Sequence, residues 1–84
     1  MFEIKLDNQP EKFLKKSEKI LFDRITTALK NLKQNPVPHD SKHIVGYALP
    51  TFRIRIGKWR ILYRINYCTN MIVVVLIDHR ERVY

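Results

Sequence analysis

The strongest constraint in the chain is the stretch "TFRIRIGKWRILYRIN", residues 51–66. Two alternating runs flank Gly57-Lys58. A glycine at the first central position of a two-residue connection suits a type II′ turn, whose twist matches that of paired strands. With the turn placed there, Ile56 faces Trp59, Ile54 faces Ile61 and Phe52 faces Tyr63, so these six side chains share one apolar face. The opposite face is then forced: Arg55 falls across from Arg60, Arg53 across from Leu62 and Arg64 across from Thr51. Like charges directly opposed on a sheet cost roughly 0.2 to 1 kcal/mol, and no acidic residue within 51–66 offsets them. A solvated outer face, with arginine stems lying over apolar surface, is one explanation. A rigid cradle for phosphate is the other, and the planar guanidinium, which matches phosphate oxygens two at a time, favours it.

The flanking segments supply what such a hairpin packs against. "FEIKLD" alternates Phe2, Ile4 and Leu6 with charged residues and predicts a first, half-buried strand. "NQPEKFLKK" follows, with Asp7 or Asn8 as cap, Pro10 in the first helical turn, Glu11 near the positive end of the dipole, and Phe13 and Leu14 as apolar contacts. From Ser17, a plausible cap, to about Gln34, the residues Ile20, Leu21, Ile25, Ala28, Leu29 and Leu32 recur at three and four and predict a second, longer helix. "NPVPHDSKHIVGYALP" holds three prolines and a glycine and reads as a connecting loop. Strands are then expected over Phe52–Ile56, Trp59–Asn66 and Met71 to about Asp78, the last two joined by "YCTN". "MIVVVLI" does not alternate, as expected of a strand covered on both faces. The order β, α, α and then a β meander implies an α+β two-layer domain, an antiparallel sheet packed on one face by an N-terminal helical hairpin.

Residues 1–84 make a single domain; a chain of this length buries about 60 to 65% of its unfolded surface and needs no staple. The lone Cys68 excludes an internal disulfide and fits a reducing compartment. "MFEIKLDNQ" has no apolar signal core and the longest apolar run is far short of a span, so a cytoplasmic protein without a membrane partner is expected. No Cys/His metal pair, Gly-rich phosphate loop, nucleophile elbow or RRM signature is present, so neither metal nor cofactor is expected. The formal net charge is +8, unevenly spread. Residues 1–40 hold eight Lys/Arg against six Asp/Glu, whereas residues 41–84 hold eight against two, and six of that second eight are arginines. A polyanionic partner for the C-terminal half follows.

The final "DHRERVY" adds His79, Arg80, Arg82 and Tyr84 straight after the last strand. If that strand pairs with Trp59–Asn66, its end lies near Arg60, and the two basic groups converge. Cleavage of RNA by its own 2′-hydroxyl needs a base, an acid for the leaving 5′-oxygen, and positive charge at the phosphorus. Arg53, Arg55, Arg60 and Arg80 are the charge candidates, each well-placed donor contributing on the order of 10² to 10³ in rate by analogy with oxyanion holes. His79 and Tyr84 are the proton-transfer candidates, because imidazole changes charge near neutrality and arginines ease ionisation of a neighbouring phenol. Glu81 is a weaker third, more simply an ion-pair partner. Lys42, Lys58, Arg64 and Arg82 are further candidate RNA contacts.

At "GYALPTFRIRIGKWRILYRI" and "VVVLIDHRERVY" the chain resembles the RelE/ParE superfamily of toxin-antitoxin toxins. The likeness extends over the whole chain: strand, helical hairpin, a K-x-x-x-G element at Lys42–Gly46, the basic hairpin, and an H-R-x-x-V-Y end. It implies a RelE-like fold and, for the RelE branch, a metal-independent, ribosome-dependent endoribonuclease that cuts mRNA in the A site and is held inactive by a cognate RelB-like antitoxin. Carried over by motif, Arg53 and Arg55 take two basic positions that are lysines in some relatives, Arg60 the phosphate-binding arginine, Arg80 the arginine after the last strand, and Tyr84 the terminal tyrosine. Arginine is almost never deprotonated, which leaves proton transfer to His79 and Tyr84. The alternative within the resemblance is the ParE type, a DNA gyrase inhibitor that cuts no RNA; a non-catalytic RNA-binding module is the third reading.

Overall fold

The computed structural model describes residues 1–79. Its elements run β1 (Glu3–Leu6), α1 (Asn8–Lys16), α2 (Lys19–Gln34), β2 (Lys42–Ile44), β3 (Thr51–Ile56), β4 (Trp59–Asn66) and β5 (Met71–His79). One sheet, in the order β1-β5-β4-β3-β2, carries the two helices on one face. The two-layer α+β class is the one expected, but the sheet is mixed: β1 runs parallel to β5. The first strand thus pairs with the last, a choice no local signal announces, and the loop after α2 contributes the extra edge strand β2.

Both helices follow from their apolar spacing. α2 buries Ile25, Leu29 and Leu32, at i, i+4 and i+7, while Ile20, counted with this stripe from the sequence, is 71% exposed. Pro10 sits in the first turn of α1, where its missing N–H has no helical partner to lose. Ser17 does not cap α2 as its position implied. It ends α1, its backbone N–H and its hydroxyl both donating to the Leu14 carbonyl, and Glu18 takes the N-cap position of α2.

The hairpin register is the one read from the turn: Ile56 opposite Trp59, Ile54 opposite Ile61, Arg55 opposite Arg60. Gly57 has φ +60 and Lys58 has none of the positive φ of a type I′ turn, which matches type II′. The next turn is held by Asn66, whose Oδ1 accepts from the backbone N–H groups of Cys68 and Thr69, and by Asn70 in the left-handed region.

The core joins Ile25, Leu29 and Leu32 to Ile54, Ile61, Tyr63, Ile65, Ile72, Val74 and Ile77. Tyr63 is fully buried and its hydroxyl donates to the Pro36 carbonyl at 2.7 Å, tying the proline-rich loop to the sheet. Burial pushes its phenol pKa far above the usual value. β5 departs from expectation: Ile72, Val74 and Ile77 are buried under the helices, but Met71, Val73, Val75 and Leu76 remain partly exposed. The absence of alternation encodes a β-bulge rather than burial on both faces. Tyr63 pairs with Val74 and Leu62 with Leu76, so Val75 is the extra residue and the inward phase shifts by one.

Candidate phosphate-binding face

The face turned away from the helices collects cations on adjacent strands. Lys42 of β2 pairs with Arg53 of β3, Arg53 with Leu62 of β4, Thr51 with Arg64, and Arg55 with Arg60. Each alternates with a neighbour of the apolar hairpin face, so Lys42, Arg53, Arg55, Arg60 and Arg64 share the outer surface. On β5 the same surface turns apolar, with Val73 opposite Arg64 and Leu76 opposite Leu62, and then meets one carboxylate, Asp78, opposite Arg60. Asp78 Oδ1 accepts from the His79 backbone N–H at 2.7 Å.

The guanidinium groups are anchored differently. Arg55 is exposed; Arg53, Arg60 and Arg64 are half-buried, their stems laid along the sheet. The Tyr47 ring, from the loop before β3, lies 5.1 Å from the Arg64 guanidinium carbon, a cation–π contact that holds this side chain across the sheet. The Nε donors of Arg53 and Arg64 are buried with no hydrogen bond among the described residues, at a cost of about 1–3 kcal/mol for an unpaired donor. Arg53, Arg55 and Arg64 make no carboxylate ion pair among the described residues, where Lys19–Asp23 on α2 is an exposed pair on the other side of the molecule's basic sheet. A surface with several fixed guanidinium groups and little internal neutralisation is suited to an anion with several charges.

Of the residues expected to form the site, Lys42, Arg53, Arg55, Arg60 and Arg64 come together, and Lys58 lies at the hairpin turn beside them. His79 does not join them. It pairs with Trp59, their rings packed edge to face at 5.9 Å, and Trp59 in turn meets Phe13 of α1 at 5.0 Å. The imidazole is therefore on the helical face. The bulge at Val75 is the reason: with regular pairing His79 would point outward, and the one-residue shift puts Asp78 there instead. Arg80, Glu81, Arg82 and Tyr84 lie outside the described residues. Two residues of this face escaped sequence reasoning: Asp78, because a run without alternation reads equally as a strand covered on both faces, and Tyr47, a loop residue whose fold-back has no periodic signature.

No helix of the described residues is long and apolar enough to cross a membrane. A comparison with curated proteins gives no significant match. Among solved structures, the RelE–RelB complex of the archaeon Pyrococcus horikoshii contains a chain 26% identical to this one, covering 96% of this chain and 97% of its own at a TM-score of 0.86. The RelBE2 toxin-antitoxin complex of Mycobacterium tuberculosis is matched at 24% identity, with 94% and 98% covered and a TM-score of 0.76. The isolated RelE toxin of E. coli shares 14% identity over 94% and 84%, at a TM-score of 0.80, and speaks for the fold alone. The family model described as ParE toxin of type II toxin-antitoxin system, parDE, matches residues 4–84. With the RelE fold in place and that match spanning nearly the whole sequence, the chain belongs to the ParE toxin family of type II toxin-antitoxin systems.

Proposed function

We propose that this toxin is a metal-independent endoribonuclease that cleaves mRNA in the ribosomal A site, in the cytoplasm, and that its outer sheet face binds the scissile phosphate. The observation that carries this is the row of Lys42, Arg53, Arg55 and Arg64 on one face that neither helix covers, where the arginines lack carboxylate partners among the described residues. The 2′-hydroxyl attacks the adjacent phosphorus, the 5′-oxygen leaves with a proton, and the strand ends in a 2′,3′-cyclic phosphate and a 5′-hydroxyl. Arg53, Arg55 and Arg60 stabilise the charge gathered at phosphorus, each contributing on the order of 10² to 10³ in rate. Lys42, Lys58, Arg64 and Arg82 hold flanking phosphates. Arg80 adds charge and Tyr84 moves the proton; His79, packed on Trp59, supports the end of β5 rather than reaching the phosphate.

The natural restraint is a cognate antitoxin, as in the P. horikoshii and M. tuberculosis complexes. A groove of about 630 Å³ between α1, the start of α2 and Trp59 offers it Phe13 and Leu21 beneath a rim of Lys12 and Lys16. An acidic, partly helical segment that folds as it binds fits this groove.

The family model favours a second reading, a ParE-like inhibitor of DNA gyrase. Programmed ribosomes incubated with the wild type, Arg53→Ala and Tyr84→Phe separate the two by mapping mRNA 5′ ends. Cuts in A-site codons that fade with both variants support the nuclease. Intact mRNA together with accumulating gyrase–DNA adducts selects the gyrase inhibitor.

A further inference from the structure

A second basic feature lies around the edge of the sheet. β2 covers β3 only as far as Arg53, so from there to the hairpin turn the edge of β3 has no strand partner among the described residues. The Ile65 N–H donates to the Pro50 carbonyl at 2.9 Å. In an antiparallel ladder alternate residues bond to alternate sides, so residues 52, 54 and 56 serve β4 while Arg55 directs its N–H and C=O toward the edge that carries no strand. Facing that edge, α2 presents Arg24, Thr27 and Asn31, at i, i+3 and i+7, all exposed and lining one cleft of about 430 Å³ with Arg55.

Arg24 is seated on the turn itself. Its two terminal nitrogens lie 3.6 and 3.7 Å from where a Cβ on Gly57 would stand. A glycine is favoured there by its φ of +60, and the guanidinium lies in van der Waals range of it. Neither Arg24 nor Arg55 is ion-paired among the described residues, and Asp23, the acid on the rim, is engaged by Lys19 at 3.4 Å. The cleft is thus positive, fitted with hydroxyl and amide donors, and continuous with the outer face through Arg55.

We propose that this cleft is a second phosphate site, holding a phosphodiester of a nucleic-acid strand whose neighbouring phosphates occupy the arginine face, so that the strand bends around the β3 edge. This rests on reading that face as phosphate-binding. The openness of the cleft argues for a polyanion over a free ion: exposed charges are screened in solution, whereas a strand gains by releasing counterions at every phosphate neutralised.

Fluorescence anisotropy with a labelled single-stranded 12-mer, as RNA and as DNA, across a salt series tests it on the full chain. Arg24→Ala should lower the slope of log K against log salt by about 0.7, one single-strand phosphate contact, equally for RNA and DNA. Arg24→Lys should restore most of that slope. Arg53→Ala reads the arginine face independently. A slope unchanged by Arg24→Ala, while Arg53→Ala lowers it, overturns the cleft and leaves the face standing. A lowered slope with Arg24→Ala alone keeps the cleft and removes the face. Saturable binding of inorganic phosphate at the Arg55 amide, followed by NMR at submillimolar concentration, would overturn the strand in favour of a free anion; so would affinity only for an acidic peptide.

Discussion

Gln9 is predicted to act as a one-residue extension of β1. That strand ends at Leu6, opposite Val74, and the Asp7 N–H still donates to the Val74 carbonyl. Beyond it, the edge of β5 has no strand beside it among the described residues. The Gln9 carboxamide, from the first turn of α1, takes that place: its Nε2 donates to the Ile77 carbonyl at 2.7 Å and its Oε1 accepts the Ile77 N–H at 2.9 Å. Gln9→Ala deletes both bonds. At about 0.5–1.5 kcal/mol net for each, the loss is bounded by about 1–3 kcal/mol. Gln9 is exposed, so water recovers part of it, and alanine adds a few tenths in helix propensity; about 1–2 kcal/mol remains. For a domain of this size that lowers Tm by about 4–16 °C. Urea melts followed by Trp59, the only tryptophan, measure the change, because Trp59 packs on Phe13 and reports separation of α1 from the sheet. Amide exchange at Ile77 should accelerate with it. Gln9→Leu, which keeps the bulk and lacks the donor and acceptor, should behave like Gln9→Ala. A change below about 0.3 kcal/mol with Ile77 protection intact would refute the extension, since loss of two part-buried side chain–backbone bonds, even partly offset by water, exceeds that value.

Three further outcomes follow from other contacts. Tyr63→Phe should cost about 1–2 kcal/mol by orphaning the Pro36 carbonyl. Because burial raises the folded pKa of Tyr63, its contribution is complete below the unfolded value of about 10 and is lost as pH rises above it, so wild-type stability should fall there by up to about 1.4 kcal/mol per pH unit while the Phe variant loses less, as alkaline urea melts would show. Arg55→Thr removes a like charge opposite Arg60 and should stabilise the fold by roughly 0.2–1 kcal/mol while weakening nucleic-acid binding, a pairing read by melts and anisotropy together. Gly57→Ala should destabilise by about 1 kcal/mol or more in the same melts through its φ of +60, because the added Cβ meets Arg24 only at ordinary van der Waals distance.

Much of the architecture was legible in short range. Alternation about Gly57-Lys58 carried the hairpin and hence which arginines oppose one another, three-and-four spacing carried the longer helix, and Pro10 and Glu11 in a first turn carried the shorter one. The three-residue β2 was not legible: its "KHI" lies between prolines and a glycine, and only the edge of β3 makes it a strand. Neither was the role of Ser17, because its hydroxyl can either donate to a carbonyl at the end of α1 or accept from backbone N–H groups at the start of α2, and the chain path decides between them.

By itself the sequence determined the basic face, because turn chemistry and a period of two act between residues that are neighbours in the chain. Tertiary structure decided which groups of the chain's end meet that face. The parallel pairing of β1 with β5, the bulge at Val75 that sends Asp78 outward and His79 inward, and the Gln9 clamp all join residues far apart in sequence. Their choice depends on burying Ile72, Val74 and Ile77 together beneath both helices, a property of the assembled core that no local stretch encodes.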